Sequence, residues 1–147
     1  MKTNELMGND LVCYNNEPCL VRMVDYQYNC VRCHHNGYEW TCETEEINPI
    51  ELTDKILMDS GFKIIYDSSV SMKCCATNDE DSVFIYLSFC KKSDGKINLE
   101  RIYLESESKI TTINAININV NINFVHELQH ILRIFGLNDI DDKIKVE

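Results

Sequence analysis

The stretch from Ile116 to Gly136 constrains the fold of this chain more than any other part of the sequence. Isoleucine or valine alternates with asparagine from Ile116 to Ile122, which is the period-two pattern of a strand with one buried and one solvated face. Residues 123–136 follow directly and have the 3.6-residue period of an amphipathic helix. Because the apolar stripe of such a helix must pack on another element, we expect an α+β fold in which a C-terminal helix covers an antiparallel sheet.

This helix carries its apolar and polar residues on opposite sides. The apolar arc consists of Phe124, Val125, Leu128, Ile131, Leu132 and Phe135. The other side consists of His126, Gln129, His130 and Arg133. Asn123 is a suitable N-cap, and Gly136 suits the position after the last turn because glycine tolerates a left-handed backbone. The pattern therefore predicts a helix with both histidines exposed to solvent.

The polar side of the helix contains a motif of zinc hydrolases. His126, Glu127 and His130 spell H-E-x-x-H, in which two imidazoles bind Zn²⁺ and the glutamate activates a bound water. Further ligands are missing, since Arg133 and Gly136 stand where a metzincin has its glycine and third histidine. The tail after His130 is also too short to return a second helix with a glutamate ligand. We therefore predict no catalytic residue and no metal ligand, with Glu127 as catalytic base and His126 and His130 as metal ligands in the alternative hypothesis.

The first fifty residues predict a small β-barrel. Four β-favouring runs, separated by turn residues, cover Leu11 to Tyr14, Cys19 to Val24, Tyr28 to Cys33 and Tyr38 to Cys42. Short strands at this spacing usually close on themselves, so we expect an SH3-like barrel in residues 1–50. Tyr38 and Trp40 alternate onto one side of their strand, and we assign both to the barrel core rather than to a binding face.

Residues 51–147 predict a second part of α+β type. Pro49 gives an extended connection, and Thr53 is a natural N-cap for a short helix that ends at Gly61. Strands are then predicted from Phe62 to Tyr66, Val70 to Cys75, Val83 to Cys90, Ile97 to Leu104 and Ile116 to Ile122, with turns at residues 78–81 and 93–96. We expect this antiparallel sheet and the barrel to pack together as one unit.

Eight cysteines require an explanation in a chain of 147 residues. Cys30-Val-Arg-Cys33-His34 has the form of a c-type haem attachment site, but that attachment takes place outside the cytoplasm. A zinc knuckle built from Cys30, Cys33, Cys42 and His34 or His35 needs a turn here. The residues instead predict a strand, on which positions three apart point to opposite faces. We therefore predict reduced thiols and no cofactor.

Composition and charge limit the compartment and the partners. The formal net charge is −10, with 3 basic against 8 acidic residues in 1–50 and 11 against 16 in 51–147. This balance argues against direct binding of nucleic acid and favours a partner protein with a basic surface. The sequence has no apolar run long enough to span a bilayer and no secretory signal, so we expect a cytoplasmic protein without a membrane anchor.

Three stretches together resemble a known family. They are Asn4 to Val12, Ile47 to Thr53 continuing to Ser60-Gly61-Phe62, and Ile122 to Gln129. Their order and spacing are similar to those of a family of small uncharacterised proteins found in Bacteroidetes genomes, prophages and mobile elements. The resemblance implies an accessory protein linked to phages or mobile elements. It also implies glutamine and asparagine in relatives at the positions of Glu127 and His130, and an amide cannot act as the base of a zinc peptidase.

The sequence thus predicts a non-catalytic binding protein. Its partner would be a protein such as a host defence factor or a nucleic-acid-processing factor, whose basic groove the carboxylates of this chain could occupy. The alternative is a zinc-dependent hydrolase that uses the segment His126 to His130. The sequence does not identify the partner-binding residues or the oligomeric state.

Overall fold

The computed structural model describes residues 1–79, 82–94, 96–107 and 113–146. Within these ranges the chain has the predicted α+β class and contains two five-stranded antiparallel sheets. It divides into two compact units. The first contains Met1–Glu51, Phe124–His130 and the C-terminal end, and the second contains Leu52–Asn123 and Ile131–Lys145. Glu80, Asp81 and Gly95, which the sequence assigns to turns, lie outside the described residues.

The first sheet is a meander extended by one strand. Its strands are β1 (Leu11–Tyr14), β2 (Glu17–Asp25), β3 (Cys30–His35), β4 (Tyr38–Glu43) and β5 (Ile47–Pro49), in the order β4-β3-β2-β1-β5. All pairings are antiparallel, and Pro49 ends an edge strand, where a missing N–H is tolerated. The sheet is open, with β4 and β5 at its edges, so the predicted closure into a barrel is not found. The SH3-like description stays a prediction.

Asparagine residues adopt the left-handed backbone that the turns of this sheet require. Among the described residues, the non-glycine positions with a left-handed backbone are Asn9, Asn15, Asn16, Asn29 and Asn36, with φ from 49° to 68°. Asn15 and Asn16 form the two-residue turn between β1 and β2, and positive φ at both positions is the geometry of a type I′ hairpin. Asparagine tolerates this region better than other residues with a side chain, which explains why the hairpins form at the predicted places.

The core of the first unit is small and rich in thiols. Its buried members are Leu6, Val12, Cys19, Val21, Val31, Cys33, Cys42 and Ile47. Trp40 is half-buried beside this core, and its ring lies 5.8 Å from that of Tyr14. Tyr38, in contrast, is 75% exposed, so its assignment to the core is wrong. Tyr38 opens β4 directly after the turn at Asn36-Gly37, in the last residue pair between β3 and β4, and its side chain lies mostly in solvent.

The second unit contains the other sheet and most of the helical residues. Its strands are β6 (Lys63–Asp67), β7 (Ser71–Thr77), β8 (Val83–Lys91), β9 (Ile97–Glu107) and β10 (Ile113–Ile122), in the order β10-β9-β8-β7-β6. Helix α1 (Asp54–Asp59) begins as predicted, with Thr53 Oγ1 accepting the N–H of Ile56 at 3.2 Å. On β8 the apolar residues Ile85, Leu87 and Phe89 are buried in alternation.

The C-terminal helix α2 (Val125–Ile134) is shared between the two units. Residues up to His130 group with the first unit, and those from Ile131 group with the second. The prediction had assigned the whole helix to the second sheet. A further short helix, α3 (Asn138–Asp141), was not predicted because four residues carry too little periodicity. None of the helices in the described ranges has the length and apolar character needed to cross a membrane.

Candidate functional site

The first half of α2 is hydrogen-bonded to the residues at the start of β1. Gln129 Oε1 accepts the N–H of Leu11 at 2.8 Å, and Gln129 Nε2 donates to the carbonyl of Asn9 at 3.3 Å. The side chain of Gln129 thus bonds one backbone carbonyl and one backbone N–H, on the residues before and after Asp10. Gln129 is only 3% exposed, so these two bonds replace the water that its own amide group has lost.

Asp10 and His130 form a buried carboxylate–imidazole pair. His130 Nε2 lies 2.9 and 3.0 Å from the two oxygens of Asp10, and Oδ2 also accepts the N–H of Met7 at 2.7 Å. Asp10 is fully buried, whereas the His130 side chain is 23% exposed. A carboxylate without contact to solvent is tolerated only when it is hydrogen-bonded, and here two donors serve it.

His126 lies beside this pair on the same helix. Its ring stacks on Phe124 with centroids 6.0 Å apart and meets the ring of His130 edge-on at 5.8 Å. Nδ1 is buried and has no partner in the part of the chain that is described. Burial of the ring lowers the pKa of His126, and the nearby carboxylates of Asp10 and Glu127 oppose this effect. His126 is therefore a neutral ring in a largely apolar setting.

The prediction that both histidines are exposed to solvent is wrong. His126 is 5% exposed, and His130 reaches a buried carboxylate. The helical wheel identified the apolar arc, but it could not show that the polar side would meet a segment from the other end of the chain. Arg133, on the same side, binds Asp141 Oδ2 at 2.6 Å.

The residues of the alternative zinc site are close together, and two of them bond to other groups of the chain. Glu127 accepts the N–H of Phe124 at 3.2 Å and so stabilises the first turn of the helix. His130 Nε2, which would bind the metal, faces Asp10. Across the described ranges no group of three His, Cys, Asp or Glu side chains is arranged to hold a metal ion. This also applies to the cysteines considered for a zinc knuckle.

Three thiols form a row in the core of the first unit. Cys19 on β2, Cys33 on β3 and Cys42 on β4 are buried, and Cys33 hydrogen-bonds with both of the others. Its bond to Cys19 is the main cause that raises the pKa of Cys33 and lowers the pKa of Cys19. Burial raises the pKa of Cys42. Cys30 is half-buried, at an odd spacing from Cys33 on the same strand, so the two point to opposite faces.

The outer edge of the first sheet is acidic. Edge strand β4 and the short 3-10 helix after it carry the exposed residues Glu39, Glu43, Glu45 and Glu46. Tyr38 stands at one end of the strand, and the turn before β3 carries Tyr26 and Tyr28, which are 62% and 72% exposed. Tyr26 and Glu45 also line an open groove of about 520 Å³ in this unit. Carboxylates and exposed tyrosines are therefore concentrated on one edge.

Sequence reasoning missed Asp10, the residue on which this cluster of side chains depends. Nothing in the segment Gly8-Asn9-Asp10 distinguishes it from an ordinary polar turn, and its partner His130 lies 120 residues away. Comparisons with known proteins add no assignment: no protein-family model, no curated protein and no solved structure matches this chain.

Proposed function

We propose that this chain is a non-catalytic accessory protein, linked to phages or mobile elements, that binds a protein partner with a basic surface. The observation that carries the proposal is the acidic edge of the first sheet, where exposed glutamates lie next to exposed tyrosines. A host defence factor or a nucleic-acid-processing factor is the kind of partner whose basic groove would suit this edge. We place the protein in the cytoplasm, and we propose no direct contact with nucleic acid or membrane.

The chemistry of the edge supports protein binding. Glutamates on an open edge attract lysine and arginine over distances of about 10 Å at moderate salt, which mainly accelerates association. Tyrosine supplies a large amphipathic contact at low entropic cost and is enriched in interface hot spots. Edge strand β4 also has one side without a strand partner, so a segment of the partner protein could pair with it.

The arrangement on α2 supports a role in holding the structure rather than in catalysis. Glu127 bonds the first turn of the helix, His130 bonds Asp10, and His126 is a buried neutral ring. A hydrolytic site would need these groups directed at one reacting atom. The zinc-dependent hydrolase that uses His126, His130 and Glu127 remains the alternative hypothesis, and the zinc content of the purified protein tests it.

The SH3-like description of residues 1–50 belongs to the same proposal. The order β4-β3-β2-β1-β5 is that of a meander whose first strand also pairs with the last, which is the connectivity expected of a small barrel. Small barrels of this kind use their exposed strands and turns to bind other proteins. The exposed turn tyrosines, Tyr26 and Tyr28, fit such a role.

Charge reversal at the edge tests the proposal. The variant Glu39→Lys/Glu45→Lys changes two exposed carboxylates and leaves the bond from the Glu43 N–H to Glu46 intact. The control Glu100→Lys/Asp142→Lys makes the same change of charge at exposed positions of the second unit. Immobilised protein would be used to capture partners from a lysate at low salt. We expect the captured partner to bind wild type and control alike and to be lost from the edge variant.

A salt titration completes this test. Binding that depends on the edge should weaken as ionic strength rises toward about 0.5 M, because exposed charges are then screened within a few ångströms. The proposal is wrong if no partner is retained at low salt. It is also wrong if the two double variants lose the partner equally, since this would attribute the effect to net charge and not to the edge.

A further inference from the structure

The second unit contains a cavity with its own chemistry, distinct from the α2 site and from the acidic edge. Its volume is about 400 Å³, within the range of pockets that hold small molecules. It lies where the end of α1, strands β6 to β8 and the residues around α3 meet. All of its lining residues belong to the second unit.

One wall of the cavity is aromatic. Lys63, Cys75 and Tyr86 are directly opposite one another on β6, β7 and β8, so their side chains share one face of the sheet. Phe84 lies two residues from Tyr86 on the same face, and both rings are half-buried. Tyr86 is supported from behind by Tyr103, with ring centroids 5.8 Å apart. A flat ring of a ligand would find a matching surface here.

The charged residues that line the cavity are both lysines, Lys63 and Lys143, although the chain as a whole carries −10. Lys63 is exposed and has no ion-pair or hydrogen-bond partner among the residues described. Lys143 lies on the opposite side and pairs with the exposed Asp79, so only part of its charge is available. Asp139 is also near, but its Oδ2 accepts the N–H of Asp79. Lys63 is therefore the cation of the lining that no described carboxylate pairs with.

The end of α1 does not oppose a negative ligand here. The last carbonyls of a helix carry partial negative charge and would repel an anion when left free. In α1 the carbonyl of Ile56 accepts from the N–H and the hydroxyl of Ser60, and that of Met58 accepts from the N–H of Gly61. These bonds occupy two of the last carbonyls of α1.

We propose that this cavity binds a small anionic molecule that carries an aromatic ring, with the ring against Phe84 and Tyr86 and the anionic group at Lys63 and Lys143. Aryl carboxylates and nucleotides share this chemistry. The inference does not depend on the binding of a protein partner by the first unit, so each can fail without the other.

The first experiment compares two probes that differ in charge alone. 2-Naphthoate and the neutral 2-naphthamide would be titrated into the full-length protein by calorimetry. A charge-assisted contact at the exposed Lys63 is worth enough for naphthoate to bind about fivefold more tightly than the amide. Lys63→Gln should remove this preference. Lys73→Gln is the control, because it removes a charge from an exposed position outside the cavity lining and should change affinity by less than about twofold.

The rate at which the Cys75 thiol is alkylated measures whether a ligand occupies the cavity. Its thiol lines the cavity, and alkylation by iodoacetamide can be followed at each cysteine by mass spectrometry. A probe at ten times its Kd should slow alkylation of Cys75 roughly tenfold. The other half-buried thiols, Cys13, Cys30 and Cys90, should react at unchanged rates and serve as internal controls. Cys75→Trp, with folding checked by circular dichroism, fills the cavity and should abolish binding of naphthoate.

The outcomes separate cleanly. Tighter binding of naphthoate that depends on Lys63 and protects Cys75 alone supports the site. Competition by adenosine monophosphate but not by adenosine then assigns it to nucleotides, and lack of competition assigns it to aryl carboxylates. The inference is overturned if neither probe slows alkylation of Cys75 up to about 1 mM. Equal binding of naphthoate and its amide, or equal effects of Lys63→Gln and Lys73→Gln, would overturn the anionic site.

Discussion

The pair between Asp10 and His130 should contribute more to stability than any exposed ion pair of this chain. Asp10→Ala removes an acceptor that serves the N–H of Met7 at 2.7 Å and His130 Nε2 at 2.9 and 3.0 Å. Hydrogen bonds to a charged group are worth about 1.5–3 kcal/mol each, and breaking a buried pair costs about 3–5 kcal/mol. We therefore expect Asp10→Ala to lower the free energy of unfolding by about 4 kcal/mol, a large share of the total for a domain of this size.

A double-mutant cycle isolates the pair itself. The free energies of unfolding of wild type, Asp10→Ala, His130→Ala and the double variant would be measured by urea denaturation at pH 7.5. We expect a coupling energy of about 2 kcal/mol, because the carboxylate is fully buried and the imidazole is mostly buried. If Asp10→Ala does not fold, Asp10→Asn retains an acceptor for Met7 and allows the same cycle.

The exposed pair Lys55–Asp59 provides the control cycle. These residues are four apart on α1, with Nζ 3.4 Å from Oδ2, and both side chains are largely exposed. Their coupling should be about 0.5 kcal/mol or less. A coupling for Asp10 and His130 no larger than that of the control would refute the reasoning. It would mean that solvent or another donor replaces the imidazole at no cost.

Four further predictions follow from the structure. Gln129→Leu removes the hydrogen bonds of Gln129 to the carbonyl of Asn9 and the N–H of Leu11, so urea denaturation should show a loss of about 1–3 kcal/mol. The pKa of His126 is lowered in the folded state, so on acidification the imidazole becomes protonated in the unfolded chain before it does in the folded protein. The free energy of unfolding should therefore fall as the pH drops below about 6.5, the usual pKa of histidine. His126→Phe should weaken this fall in melting curves recorded from pH 7.5 to 5. Thr53→Ala removes the N-cap bond of α1 and should cost about 1 kcal/mol, whereas Thr41→Ala, at an exposed position on β4, should cost less. Protein purified without an affinity tag should contain less than one equivalent of zinc by elemental analysis. A full equivalent that is lost in His126→Ala/His130→Ala would contradict this and support the zinc site of the alternative hypothesis.

Local sequence was sufficient for most of the elements. The strands around Asn15-Asn16 and Asn36-Gly37 were predictable because turn residues and period-two alternation act over a few positions. The helix start at Thr53 was predictable for the same reason. Strand β5 was not, because a proline was taken to end pairing, whereas an edge strand tolerates it.

The contacts of the candidate site could not be predicted from local sequence patterns. Gln129 and His130 were assigned to a solvated face, since a helical wheel describes one element and not its neighbours. Their partners Asn9 to Leu11 come from the opposite end of the chain, and no spacing rule links positions 120 residues apart. No local pattern singles out Asp10. Tyr38 failed for a related reason, because alternation fixes the side of a strand but not what covers it.

The asparagines in the hairpin turns are also sites at which the protein can deamidate as it ages. Asparagine is among the thermolabile residues, and Asn36 is followed by Gly37, a neighbour too small to hinder attack of the backbone nitrogen on the amide. Loss of ammonia at this turn would convert the amide to a carboxylate beside the exposed Tyr38. The isoelectric point of an aged sample should therefore fall. The chemical change is at the hairpin turn, and the reaction leaves the core residues unaltered.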